Sequence, residues 1–206
     1  MENIPYIIYA EATPNPASLK FVANKILINQ KGASAEYKHA SETQTAPIAA
    51  KLFQFPFVKT IFISANFITI TKADNIDWDD ITIELRSFIT EYLNNGNLIV
   101  TALPKQEVAI DNTFTETKTI STQHNAPSND VEAKIIEILD QYIRPAVEQD
   151  GGLITFKDLK EGIVTVQMRG ACSGCPSSTM TLKAGIEALL KRLLPDAVKE
   201  VVSEAL

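Results

Sequence analysis

Polar and apolar positions alternate most clearly between Val58 and Lys72, in the stretch VKTIFISANFITITK. Val58, Thr60, Phe62 and Ser64 interleave with Lys59, Ile61 and Ile63, Ala65-Asn66 offers a turn, and Phe67 to Thr71 returns. Period two in β-branched and aromatic residues predicts a β-hairpin. Ile4 to Ala10, Leu19 to Val22 and Ile26 to Ile28 predict shorter strands, with TPNP at Thr13 to Pro16 as a turn between the first two. Pro47 to Phe55 predicts a short helix with proline in its first turn. The rhythm then changes to the helical one. In WDDITIELRSFITEYLNNG, Ile81, Leu85, Phe88 and Tyr92 share a face, the acidic Asp77, Asp79 and Asp80 sit at the positive end, and Gly96 closes the helix.

A second set of elements follows. Asp130 to Ile143 predicts a helix, with Val131, Ile135, Leu139 and Tyr142 on one face and Asn129 with Glu132 as a capping box. Pro145 marks a kink or its end, and Asp150-Gly151-Gly152 is a turn signal. Leu153 to Leu159 and Gly162 to Met168 predict another hairpin, turning at Lys160-Glu161. A helix from Pro176 to Leu194 carries Leu182, Ile186, Leu189 and Leu193 on one stripe, and Pro195 stops it. Val198 to Val202 predicts a closing strand. Gly185 inside the helix costs about 1 kcal/mol relative to alanine and is read as a point of close packing.

Between the two sets, Pro104 to Asn129 is rich in Thr, Ser, Asn, Gln and charge and has no apolar period. A stretch of this kind is a linker rather than the interior of a compact domain. The expected organisation is therefore two small α+β domains, residues 1–103 and 130–206, each with helices packed on a short-stranded sheet, joined by a polar linker at 104–129. The chain has 206 residues and a net charge of -6. That balance argues against a nucleic-acid partner, which requires clustered Lys and Arg. No apolar run approaches the roughly 20 residues of a membrane span. The N-terminus MENIPYIIYAEATPNP has neither the basic start and apolar core of a secretory signal nor the arginines of a transit peptide, so the expected location is the cytoplasm.

The two cysteines, Cys172 and Cys175, are the only ones in the chain. A pair this close would staple almost no loop, so chemistry explains it better than stability. They lie in RGACSGCPSS between an expected strand and an expected helix. Gly170 and Gly174 allow the loop to curl and present its amides. Pro176 suits the first helical turn, which puts Cys175 at the helix N-terminus, where dipole and free amides favour a thiolate. The spacing i, i+3 lets both sulfurs reach one metal centre.

A four-ligand site needs two more donors. The histidines, His39 and His124, fall in the first domain and in the linker, outside any local zinc pattern. A second copy of the chain supplies the missing thiolates, which predicts a homodimer bridged by an iron–sulfur cluster. Rival readings are a thioredoxin-like redox pair, a zinc-bridged dimer and two cysteines that merely pack. The redox reading lacks the further strands and facing proline that such a fold places after the helix. Ser177 and Ser178 are read as helix caps or donors to sulfur, and Trp78 as packing at a helix start. The acidic group Asp77, Asp79 and Asp80 lacks the glycine and closing glutamate of a calcium loop.

Beside these features the second half resembles the C-terminal domain of NifU, through RPAVEQDGG (Arg144 to Gly152) and VTVQMRGACSGCPSSTMTLKAGIE (Val164 to Glu187). The first half resembles the N-terminal domain of Nfu proteins, through TPNPASLKF (Thr13 to Phe21), LFQFPFVKTIFISANFITITK (Leu52 to Lys72) and the WDDI helix. The resemblance implies a scaffold or carrier, not an enzyme. It would hold a cluster, [4Fe-4S] in preference to [2Fe-2S], on Cys172 and Cys175, shared between two subunits. It would deliver the cluster to apo iron–sulfur proteins. The chain lacks the cysteine-bearing N-terminal scaffold domain of complete NifU, so the cluster would come from an upstream assembly scaffold.

Overall fold

The computed structural model describes residues 4–29, 33–101, 124–173 and 176–204, and they build two α+β units. The first contains β1 (Ile8–Ala12), β2 (Ser18–Ala23), β3 (Ser34–Tyr37), β4 (Val58–Ser64) and β5 (Phe67–Lys72), antiparallel in the order β1-β2-β5-β4-β3. The expected hairpin closes on the Ser64–Phe67 pair around Ala65-Asn66. Helices α1 (Pro47–Leu52) and α2 (Trp78–Asn94) cover one sheet face. Ile48, Leu52, Ile81, Leu85, Ile89 and Leu93 meet Leu19, Phe21, Ile61, Ile63, Ile68 and Ile70 there. Trp78 opens α2 by donating its indole N–H to Pro16 O at 3.0 Å. Gly96, at φ 72°, ends it with an N–H bond to Leu93 O of 3.1 Å.

Three readings of this unit change. The first strand starts at Ile8, because Tyr6 and Ile7 bond to the side-chain amides of Asn94 and Asn24 instead of a ladder. Ile26 to Ile28 form no strand. Leu27 and Ile28 are buried, and both amides donate to Ala65 O (2.7 and 3.0 Å), tying the loop to the hairpin turn. The α2 face centres on Ile89 and Leu93, with Phe88 and Tyr92 at its margin, where Phe88 meets Phe55 edge-on at 5.3 Å.

The second unit is a three-stranded sheet in the order β6 (Gly152–Lys160), β7 (Ile163–Gly170), β8 (Glu200–Glu204). β6 and β7 pair antiparallel, whereas β7 and β8 pair parallel, a connection that α5 (Pro176–Leu193) makes as a crossover. The hairpin turn sits on Glu161-Gly162, one residue later than expected, because Lys160 pairs with Ile163 and both turn residues have positive φ (53° and 87°). Such a turn suits a glycine at its second position. Helix α3 (Asp130–Ile138) begins on Asn129, whose side chain accepts from Glu132 N at 2.9 Å, while the Glu132 carboxylate bonds Ser128 N rather than Asn129 N. The helical path does not end at Pro145. A π turn at Leu139–Ile143 widens the backbone just before the proline, and α4 (Arg144–Gln149) continues. Among the described side chains of α5 the buried ones are Ile186 and Leu190, with Leu182 and, just past the helix, Leu194 packed beside them, and Leu193 is 44% exposed. A Cβ at Gly185 would meet nothing within 4 Å, so close packing does not explain that glycine.

Most of the segment read as a linker lies outside the described residues, but its end does not float free of the second unit. His124 Nδ1 accepts the Phe156 N–H at 2.7 Å, and its Nε2 donates to Asp140 at 2.8 Å, a carboxylate that Arg144 also grips at 2.9 Å. Burial lowers the His124 pKa below its usual 6.5. No helix among the described residues is long and apolar enough to cross a membrane.

The outer face of the first sheet is also covered. Phe62, Phe67 and Leu153 form a separate buried cluster with Val22 beside it, so a residue of β6 plugs a patch on β2, β4 and β5. This explains why β2 and β5 are buried along almost their whole length, polar positions such as Lys20 and Thr69 included.

Candidate functional site: the cysteine loop

β7 delivers the chain to Gly170, whose φ of +67° turns it away from the sheet. A Cβ there would lie 2.6 Å from Gly151 O and 2.9 Å from Phe62, so only glycine fits. The loop then bonds back on the turn that precedes β6: Ala171 N donates to Gly151 O (3.2 Å), and Ser173 N donates to Gly170 O (3.0 Å). Cys172 is 7% exposed and belongs to the core of the second unit. Its sulfur packs over Gly152, where a Cβ would come within 2.7 Å of it. Thr179 Oγ1, in the first turns of α5, donates to Cys172 O at 3.2 Å. Cys175, Gly174 and the side chains of Ser177 and Ser178 lie outside the described residues. α5 begins at Pro176, as the proline signal implied.

Electrostatics at Cys172 run opposite to the activated thiolate that a helix terminus favours. Burial, reinforced by the negative charge of Asp150, pushes the thiol up to about 12. In this arrangement Cys172 is a protonated, shielded thiol, poor both as nucleophile and as ligand until it is exposed.

The loop also meets the first unit. Glu36 of β3 reaches across with Oε1 3.1 Å from Gly170 N, which donates to it, and 3.3 Å from Ser173 Oγ. Asn15 Nδ2 donates to Ala171 O at 3.2 Å. Thr69 Oγ1 donates to Gly151 O at 2.7 Å, and Lys20 Nζ to Gln149 O at 3.1 Å. Glu36 is held above the ordinary carboxylate range, chiefly by burial. Its second oxygen is buried without a hydrogen-bond partner. None of these four residues was anticipated from sequence as part of the site.

The other sequence candidates fall elsewhere. Asp79 and Asp80 occupy the first turn of α2, His39 starts a 3-10 turn at Ala40–Thr45, and His124 is bonded to β6. No group of three or more His, Cys, Asp or Glu among the described residues could hold a metal ion.

Among the described residues the site is a shielded thiol on a strand-to-helix loop. Comparison with known proteins defines the class. Residues 8–96 match the family described as the scaffold protein Nfu/NifU N terminal, and residues 135–202 match the NifU-like domain. The protein of Drosophila simulans named NFU1 iron-sulfur cluster scaffold homolog, mitochondrial, is 34% identical over 200 residues, which are 96% of this chain and 66% of that protein. NifU-like protein C1709.19c of Schizosaccharomyces pombe is 34% identical over 95% of this chain and 71% of its own length. NifU-like protein 5, mitochondrial, of Arabidopsis thaliana is 33% identical over 96% and 67%. The chain belongs to the Nfu/NifU-like family of scaffold proteins, and it spans about two thirds of the length of these relatives.

One expectation is overturned. The cytoplasmic assignment conflicts with the fly and plant relatives, which are named as mitochondrial and point to mitochondria instead. The physical reason is that a folded scaffold does not carry its address in composition or charge.

Proposed function

We propose that this chain is an iron–sulfur cluster scaffold and carrier in which Cys172 and Cys175 ligate the cluster. The observation that carries the reading is the Cys172 loop: a thiol at a strand-to-helix junction, cradled by Gly152 and Gly170, in a chain of the NifU-like family. The cluster is cargo. A metal centre deprotonates a coordinating thiol, so loading releases the proton that burial keeps on Cys172, and it requires the sulfur to leave its packed position. Two thiols per chain leave a four-ligand cluster half satisfied. A [4Fe-4S] cluster shared by two subunits completes it, in preference to [2Fe-2S]. The expected partners are a second copy of the chain, an upstream assembly scaffold and apo iron–sulfur proteins. Residues 1–103 and 130–206 act as domains, and 104–129 joins them.

The test is iron and acid-labile sulfide per chain after anaerobic reconstitution, with mass measured in parallel. A shared [4Fe-4S] cluster gives about two of each per chain and a dimer. About one of each replaces it with a bridging [2Fe-2S] cluster. Zinc without sulfide, or neither metal nor sulfide, refutes the carrier reading. Cys172→Ser and Cys175→Ser each abolish loading while circular dichroism of the chain stays folded.

A further inference from the structure

We propose that the first unit is a latch on the packed cysteine loop, so that its docking and the loading of the site oppose each other. The inference rests on the proposed role of Cys172 for its second half only.

The contacts between the units are not spread evenly. All five described inter-unit hydrogen bonds or close polar contacts of Glu36, Asn15, Thr69 and Lys20 land on two short segments, 149–151 and 170–173. These are the segments that frame Cys172: the second begins at Gly170 and contains the cysteine, and the first is bonded to it through Ala171 N and Gly151 O. Gly170 N, Ala171 O and Ser173 Oγ, polar groups flanking Cys172, all have partners on the first unit or within the loop. Beside them, Leu153 sits buried in the Phe62, Phe67 and Val22 patch.

The consequence follows from geometry. Cys172 is packed in the core, with its sulfur against Gly152. It cannot reach a centre shared with a second chain unless residues 170–173 move outward. Any such movement pulls Gly170 N and Ser173 Oγ off Glu36 and Ala171 O off Asn15. Docking therefore stabilises the packed loop, and by linkage a loop that holds a cluster weakens docking by the same factor. Glu36 suits a latch that must release. Its Oε2 is buried without a partner, so undocking returns that oxygen to water and offsets part of the cost of the bonds that break.

The first experiment needs no cluster. In a Cys175→Ser background Cys172 is the only thiol, and its alkylation rate is measured on the full apo chain. Glu36→Ala and, separately, Thr69→Val are added, with circular dichroism to confirm folding. The latch predicts that each raises the Cys172 rate by about tenfold, the effect of losing one to two net hydrogen bonds. Rates equal to the parent in both folded variants overturn it. Should Glu36→Ala unfold, Thr69→Val decides, because it keeps the side-chain shape. The second experiment compares X-ray scattering of the unaltered chain, apo and anaerobically loaded, each fitted with the two units as separate rigid bodies in a monomer or a dimer. Wider separation of the units on loading is expected, and an unchanged inter-unit distance in loaded protein overturns the opposition. Failure of the chain to load any cluster refutes the carrier function but leaves the alkylation result standing.

Discussion

A single methyl group added at Gly152 tests whether the cysteine loop is packed as described. Its Cβ would stand 2.7 Å from Arg169 O and 2.7 Å from the Cys172 sulfur, with Cys172 Cβ at 3.2 Å. The carbonyl belongs to β7, and Gly152 is itself laddered to Gly170, so it cannot swing aside as a long side chain would. The sulfur can move only by leaving the core. Overpacking of this kind costs about 1–3 kcal/mol, and with main chain as one obstacle we expect the upper half of that range, about 2–3 kcal/mol. For a unit of under 100 residues this lowers the melting midpoint by roughly 10–20 °C. Gly185→Ala is the matched control, since its Cβ meets open space on an exposed helix face and should stabilise by about 0.5–1 kcal/mol. Scanning calorimetry of the full chain reads both. Gly152→Ala is also expected to speed Cys172 alkylation, because the sulfur is the more movable obstacle. An unchanged midpoint for Gly152→Ala would refute the packing argument.

Leu153→Ala should cost about 2–4 kcal/mol from loss of a buried side chain. It should also split the calorimetric transition into two, since the plug between the units is gone. His124 carries a pH dependence. Its pKa is lowered in the folded chain by burial, opposed by Asp140 and assisted by Arg144, so the unfolded chain binds the extra proton first. Its contribution to stability is complete above about pH 6.5 and is lost as pH falls below that value. Titrating the melting midpoint from pH 7.5 to 5 should show a decline that His124→Gln flattens. Glu161→Asn, at a turn position with φ 53°, should stabilise the β6–β7 hairpin by up to about 1 kcal/mol in urea unfolding.

What could be read from sequence was the part written locally. The β4–β5 hairpin, α2 with its glycine stop and the start of α5 at Pro176 each follow from periodicity and capping within one segment. β3 escaped because Ser34, Ala35, Glu36 and Tyr37 carry little apolar volume, and the strand exists through its pairing with β4. The stripe on α5 was read correctly at Leu182 and Ile186 and one residue off after them, because Leu189, Leu190, Leu193 and Leu194 offer two equally apolar faces and only the sheet chooses between them. The place of Cys172 between a strand and a helix was legible, and so was the turn at Gly170; Gly174 and Cys175 lie outside the described residues. Glu36 was not legible, because nothing near it in the chain says that it meets a loop 134 positions away. Lys20 and Thr69 were not legible either, because their partners are main-chain carbonyls of the other unit, far away in the chain.

The sheet face that receives Leu153 has a history during synthesis. Phe62 and Phe67 leave the ribosome early, and Leu153 follows Phe67 by 86 residues, the difference between their positions. At about 5–20 residues per second, roughly 4–17 s separate the aromatic patch from its cover. For that interval the first unit can be folded on its helical side and still present two phenylalanines and a valine to its surroundings. A ribosome stalled between the two halves, or a chain cut between them, would leave a folded product that is sticky on one side. The production of this protein is therefore sensitive to translation speed and to holding chaperones in a way that the finished molecule, with the patch closed, is not.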